Sequence, residues 1–227
     1  MSNFTELTAR TSADRAQLQT APVITRALHG DVTRDLYLAF LTQAYHHVRH
    51  TVPLLMAVGS RLPARHLWLQ KEIVHYVEEE QGHDEWILSD IASAGGDAEA
   101  IRHGAPSMET DVMVAYAWDT VMRRNPVAFF GMVYVLEGTS VALALNAADA
   151  IQRTLALPNK AFRYLRSHGS LDQQHIGHLA ALVDRFDTTD LPAIVTCART
   201  MFRLYGDVFR SLPAEAPKDG QLLKGAA

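Results

Sequence analysis

His168-Gly169-Ser170-Leu171-Asp172-Gln173-Gln174-His175 sets two imidazoles and a carboxylate three and four residues apart inside a helical pattern. At about 100° per residue, positions 172 and 175 fall within roughly 40° of His168, and the three span about 10 Å of helix. Three ligand-type side chains on one buried stripe lose hydration unless something neutralises or coordinates them, and a metal does both. On either side of this run strand signatures are nearly absent. Ala, Leu, Met, Gln, Glu and Arg fill long segments with apolar residues at three- and four-residue spacing.

The periodicity predicts helices over about 14–29, 31–59, 63–94, 107–124, 126–154, 160–186 and 190–209. Pro53 should kink the second, Gly95-Gly96 should stop the third, and Ser107 should cap the fourth. The expected architecture is one all-α bundle of about seven helices over residues 1–212, with a frayed tail over 213–227.

The 227 residues are 48% hydrophobic, enough for one core, and carry a formal net charge of −4, so no basic field points to nucleic acid. A single cysteine, Cys197, excludes an internal disulfide and a thiolate cluster and fits a reducing compartment. The N-terminus lacks the regions of a signal peptide, and no apolar run reaches the ~20 residues of a membrane span. The expectation is a cytoplasmic protein with no membrane partner.

Two further segments offer ligands from facing helices. Glu80 and His83 share a helix face at a spacing of three, and Glu79 competes with Glu80 for the role. Glu137, in Val135-Leu136-Glu137-Gly138, is a lone charge in an apolar stretch, where a carboxylate needs a partner. That partner is a metal or an arginine such as Arg49 or Arg123. With His168, Asp172 and His175, the set suits iron or manganese better than a closed zinc site or an all-oxygen calcium site. Three carboxylates also suit two divalent cations better than one, with Glu137 as a candidate bridge. His178 reads as an outer residue or surface.

The combination of Glu80-x-x-His83, Glu137-Gly138 and His168-x3-Asp172-x2-His175 resembles the haem-oxygenase-like diiron oxidase and oxygenase superfamily, catalogued as iron-containing redox enzymes, which shares its scaffold with TenA and PqqC proteins. The resemblance covers roughly residues 20–210, and these segments are similar to those of the fatty-acid-decarboxylating branch. It implies a haem-oxygenase-like fold, two Fe2+ ions held by the six named residues, dioxygen as cosubstrate, and no haem. The family's activities include oxidative decarboxylation, N-oxygenation and carbon–carbon cleavage.

The substrate expected is a small amino or carboxylic acid, with or without an aliphatic tail. Arg49 is the residue chosen to pair with its carboxylate. Tyr45, His46 and His50 are candidates to line the pocket beside Arg49, while His47 faces another direction. Trp86, Trp118, Phe129, Phe130 and Tyr134 are candidate walls. An external electron donor and a homodimer complete the expectation. Two rivals stand beside it: a metal-independent TenA-like hydrolase of a thiamin-related compound, and a non-catalytic helical interaction protein. The position of Cys197, far from the His168 stripe, weighs against the first.

Overall fold

The computed structural model describes residues 1–213, without the side chains of residues 169–174; the tail reading from residue 214 onward and the Asp172 side chain lie outside the described residues. Twelve α-helices are present among the described residues rather than about seven, and no strand. They are α1 Asn3–Arg10, α2 Ser12–Gln19, α3 Pro22–His29, α4 Arg34–Val48, α5 Thr51–Ser60, α6 Gln70–Glu80, α7 His83–Ser93, α8 Ala98–His103, α9 Met108–Arg123, α10 Phe130–Leu155, α11 Arg163–Val183 and α12 Leu191–Ser211. Short 3-10 turns at Ala64–Leu69, Pro126–Phe129 and Asn159–Ala161 lead into α6, α10 and α11.

The higher count comes mainly from interruptions inside periodic segments. Pro22 opens α3 at its first position and separates it from α2. The segment expected to run as one helix kinked at Pro53 from 31 to 59 divides at Arg49–His50. Pro53 has no N–H to offer the Arg49 carbonyl four residues earlier, and its ring crowds that carbonyl. Gly82, at φ +90°, separates α6 from α7. The apolar stripe continues across each break, so the hydrophobic period does not register them. Ser107 caps α9 as expected, accepting from the Thr110 N–H at 3.3 Å.

Packing then brings the broken pieces into register. Asp90, fully buried on α7, accepts from the N–H groups of Arg163 (3.1 Å) and Tyr164 (2.8 Å) at the start of α11. One helix therefore caps another, and the two elements that carry His83 and His168 are held end to side. At Gly131, α10 passes so close to α12 that a Cβ would lie 2.7 Å from the Ala198 nitrogen. The expectation that no apolar run reaches membrane-spanning length is corrected by Pro126–Leu155, which is long and apolar enough by composition. Here 67% of its most apolar window is buried inside the bundle. Its apolarity serves the core, where α10 packs against α3, α11 and α12.

Candidate metal centre

Glu80 ends α6 and His83 begins α7, so the pair spans the Gly82 turn and does not lie on a continuous helix. The left-handed glycine reverses the chain just enough for His83 Nδ1 to come 2.9 Å from Glu80 Oε2. From α11, the His168 ring meets the His83 ring at a centroid distance of 4.6 Å and an angle of 76°. One ligand atom from each of Glu80, His83 and His168 lies within 4.8 Å of the others. Trp86 packs on His83 at 4.2 Å and Tyr164 on His168 at 4.7 Å, which limits the rotation of both rings.

Glu79 turns to a different neighbour. Its Oε1 lies 3.4 Å from His175 Nε2 and 3.3 Å from His75 Nε2. The adjacent carboxylates thus serve different histidines of α11. His178 pairs with Glu72 at 3.1 Å, on the solvent side of His175. Glu137 is only 7% exposed and lines the same cavity as Glu80 and His168, outside the three-atom cluster. The arginines considered for it are engaged elsewhere: Arg123 pairs with Asp119 at 3.4 Å, and Arg49 lies over the Tyr45 ring at 5.4 Å.

The cavity has a volume of about 150 Å³ and is open at one side. Its walls are mostly apolar, running from Ile24 and Leu28 on α3, past Phe40 on α4 and Leu143 on α10, to Glu80 and His168. Residues 38–206 of the chain match the family described as iron-containing redox enzyme. The chain belongs to this family of iron-containing redox enzymes. Its fold is haem-oxygenase-like and TenA-like. A domain of unknown function with a haem oxygenase-like fold from Shewanella denitrificans OS217 is 25% identical at a TM-score of 0.79, covering 90% of this chain and 88% of that one. Haem oxygenase from Leptospira interrogans is similar at 16% identity and a TM-score of 0.73, covering 93% and 100%. A TenA homolog from Pseudomonas syringae pv. tomato DC3000 aligns at 11% identity and 0.73, covering 92% and 90%. No curated protein matches the sequence.

In this member of the family, the residues expected to bind substrate are not among those lining the cavity, although Arg49 borders a separate depression that includes Glu80. Arg49 is exposed at the end of α4, because the Pro53 break ends the helix there. Tyr45 and His46 are buried against each other, with ring centroids 5.3 Å apart. His50 accepts from Trp118 Nε1 at 3.3 Å. Tyr134 packs between Phe4 and Phe202. Of the aromatic residues expected as walls, only Phe129 lines the cavity; Trp86, Trp118, Phe130 and Tyr134 pack elsewhere among the described residues. The residues of that segment that do line it are Val48 and His47, the latter directed elsewhere by the helical projection. Burial and the neighbouring His168, His50 and His46 lower the His47 pKa to about 3, so its ring is neutral.

A second polar cluster has no counterpart in the sequence reading. Asp190 is fully buried and receives His66 Nε2 (2.8 Å), Arg65 Nη2 (2.9 Å) and Asn125 Nδ2 (2.9 Å). Ligand atoms of His66, Asp187 and Asp190 also lie close enough together for a metal. The Arg65 guanidinium already compensates the Asp190 charge, and the network ties the chain before α6 to the start of α12. His66 and Asp190 lie 124 positions apart, so no local spacing reveals the pair. Cys197 is 2% exposed and burial pushes its thiol up to about 12. It lies off the cavity wall.

Proposed function

We propose that the chain is a non-haem diiron oxidase or oxygenase that uses dioxygen on a small carboxylic acid with an aliphatic tail. The observation that carries this reading is the convergence of Glu80, His83 and His168 at the head of a largely apolar cavity. Their mixed oxygen and nitrogen donors fit ferrous iron, and Glu137 adds a buried carboxylate on the same wall as the partly buried Glu80. Glu80, His83 and His168 would hold one iron; Glu137, Asp172 and His175 are the residues proposed for the second. When bound, ferrous iron supplies the electrons that reduce dioxygen.

The chain's own groups perform the rest. Trp86 and Tyr164 fix the ring planes of His83 and His168, so little reorganisation is needed on metal binding. Glu79 Oε1, 3.4 Å from His175 Nε2, lies close enough to orient that ring. The apolar wall of α3, α4 and α10 excludes water and gives an alkyl chain a place to lie. The thiol of Cys197, unreactive by burial and away from the cavity, favours this reading over a TenA-like hydrolase.

Anaerobic loading with ferrous iron tests the proposal. Two irons per chain are expected, with fewer in His168→Ala and Glu137→Ala, and dioxygen uptake should accelerate when decanoic acid is added. Absence of specific iron in the folded protein would sink the reading. Iron without acid-dependent oxygen uptake would remove the substrate assignment.

A further inference from the structure

The cavity wall carries few polar side chains besides the metal-ligand candidates. The Tyr37 hydroxyl is committed to the Ala161 carbonyl at 2.6 Å. Thr51, Thr139 and Ser140 line the cavity, but a hydroxyl on a helix has the preceding turn's carbonyls within its reach. His47 differs from all of these. It is 3% exposed, and no hydrogen bond reaches its ring among the described residues, with Nδ1 wholly buried. Among the described residues, its ring contact is edge-on to Tyr205 on α12, at 5.7 Å.

A buried imidazole without a partner costs about 1–3 kcal/mol relative to one that is satisfied. On a cavity wall, one explanation for such a group is a partner supplied from outside the chain. His47 is a cavity residue in that condition, and it lies near enough to His168 to feel its charge. From His47, the lining residues of α4 continue through Phe40 to Leu36, about 16 Å along the helix axis.

We infer that His47 is a substrate-positioning residue, whose ring hydrogen-bonds the polar end of the bound acid while the alkyl tail runs along α4 toward α3. The inference rests on the acid-with-tail reading given above. Because the imidazole is neutral, it offers one donor and one acceptor and leaves the carboxylate's charge for the metal to balance. It takes the part for which Arg49 was the natural choice from sequence. The Tyr205 edge holds the ring plane, so the group is oriented before the substrate arrives.

Binding of decanoic acid to the full chain, measured by calorimetry with and without anaerobic ferrous iron, tests this directly. His47→Phe should weaken binding at least tenfold and raise KM, with kcat within a few-fold of wild type and iron content unchanged. His47→Gln, which keeps a donor and an acceptor, should recover most of the affinity. In the wild type, the His47 ring nitrogen resonances should shift as decanoic acid is added, a readout independent of whether a variant folds. Equal affinity in His47→Phe, loss of iron in it, failure of His47→Gln to recover affinity, or an unmoved ring resonance each overturns the inference. Wild-type protein that binds no decanoic acid overturns the acid reading itself. Wild-type protein that binds decanoic acid but consumes no dioxygen refutes the oxygenase proposal alone.

Discussion

Two adjacent glutamates with different partners show how much a single turn decides. Glu80 reaches His83 and His168, whereas Glu79 reaches His175 and His75. Glu80→Gln is therefore expected to lower iron stoichiometry on ferrous loading. Glu79→Gln should keep the stoichiometry and weaken iron affinity about 10–100-fold, the effect of losing a partner that orients a ligand. Equal iron loss in both variants, read by anaerobic titration, would refute this division of labour. Gly82 makes it geometrically feasible. A Cβ there meets nothing within 4 Å, so Gly82→Ala should cost about 1 kcal/mol through its left-handed backbone alone. Urea denaturation measures the cost, and Gly82→Asn should restore part of it. The choice between Glu79 and Glu80 was half legible: helical spacing favours Glu80 for His83, but only the turn reveals where Glu79 goes.

Among the elements, the junction of α7 with α11 bears most directly on the site. Asp90 caps α11 from outside it, and burial pushes its carboxyl up to about 6 from 3.8. A group whose folded pKa is raised favours the native state when protonated. Its contribution is thus fullest below about pH 4 and is lost as pH rises through about 6. The unfolding free energy of wild type relative to Asp90→Asn should fall by on the order of 2–3 kcal/mol between about pH 4 and pH 7. A difference that stays flat across that window, in urea titrations, would count against it. The helical nature of these segments was readable from the spacing of Leu, Val and Ile, but several of the breaks were not. The apolar stripe of the 63–94 segment runs through Gly82 unaltered, because a one-residue turn changes direction without disturbing which side chains are buried. Pro53 did announce an interruption, and the structure puts it at the carbonyl that proline leaves unpaired.

For the whole molecule, the proposed iron binding predicts a gain in stability. Metal that binds only the folded chain raises its stability by about 2.7 kcal/mol at a hundredfold excess over Kd. For a chain of this size the gain corresponds to roughly 5–10 °C in Tm. Anaerobic calorimetry should show that rise with ferrous iron in the wild type and little of it in His168→Ala. An equal rise in both would mean that iron binds elsewhere, with the His66, Asp187 and Asp190 cluster the first place to look.

By itself the sequence determined the helical class, the inward stripe of His168 and His175, and the company of Glu80, His83 and Glu137, because period and burial are local properties of a chain. Its family membership is likewise read from the sequence, by a match over residues 38–206. Tertiary structure alone decided that Glu79 turns to His175, that Asp190 gathers Arg65, His66 and Asn125, and that His47 rather than Arg49 lines the cavity. The reason is physical: those relations join groups far apart along the chain, or depend on where a helix is interrupted. Neither is encoded in the spacing of neighbouring residues.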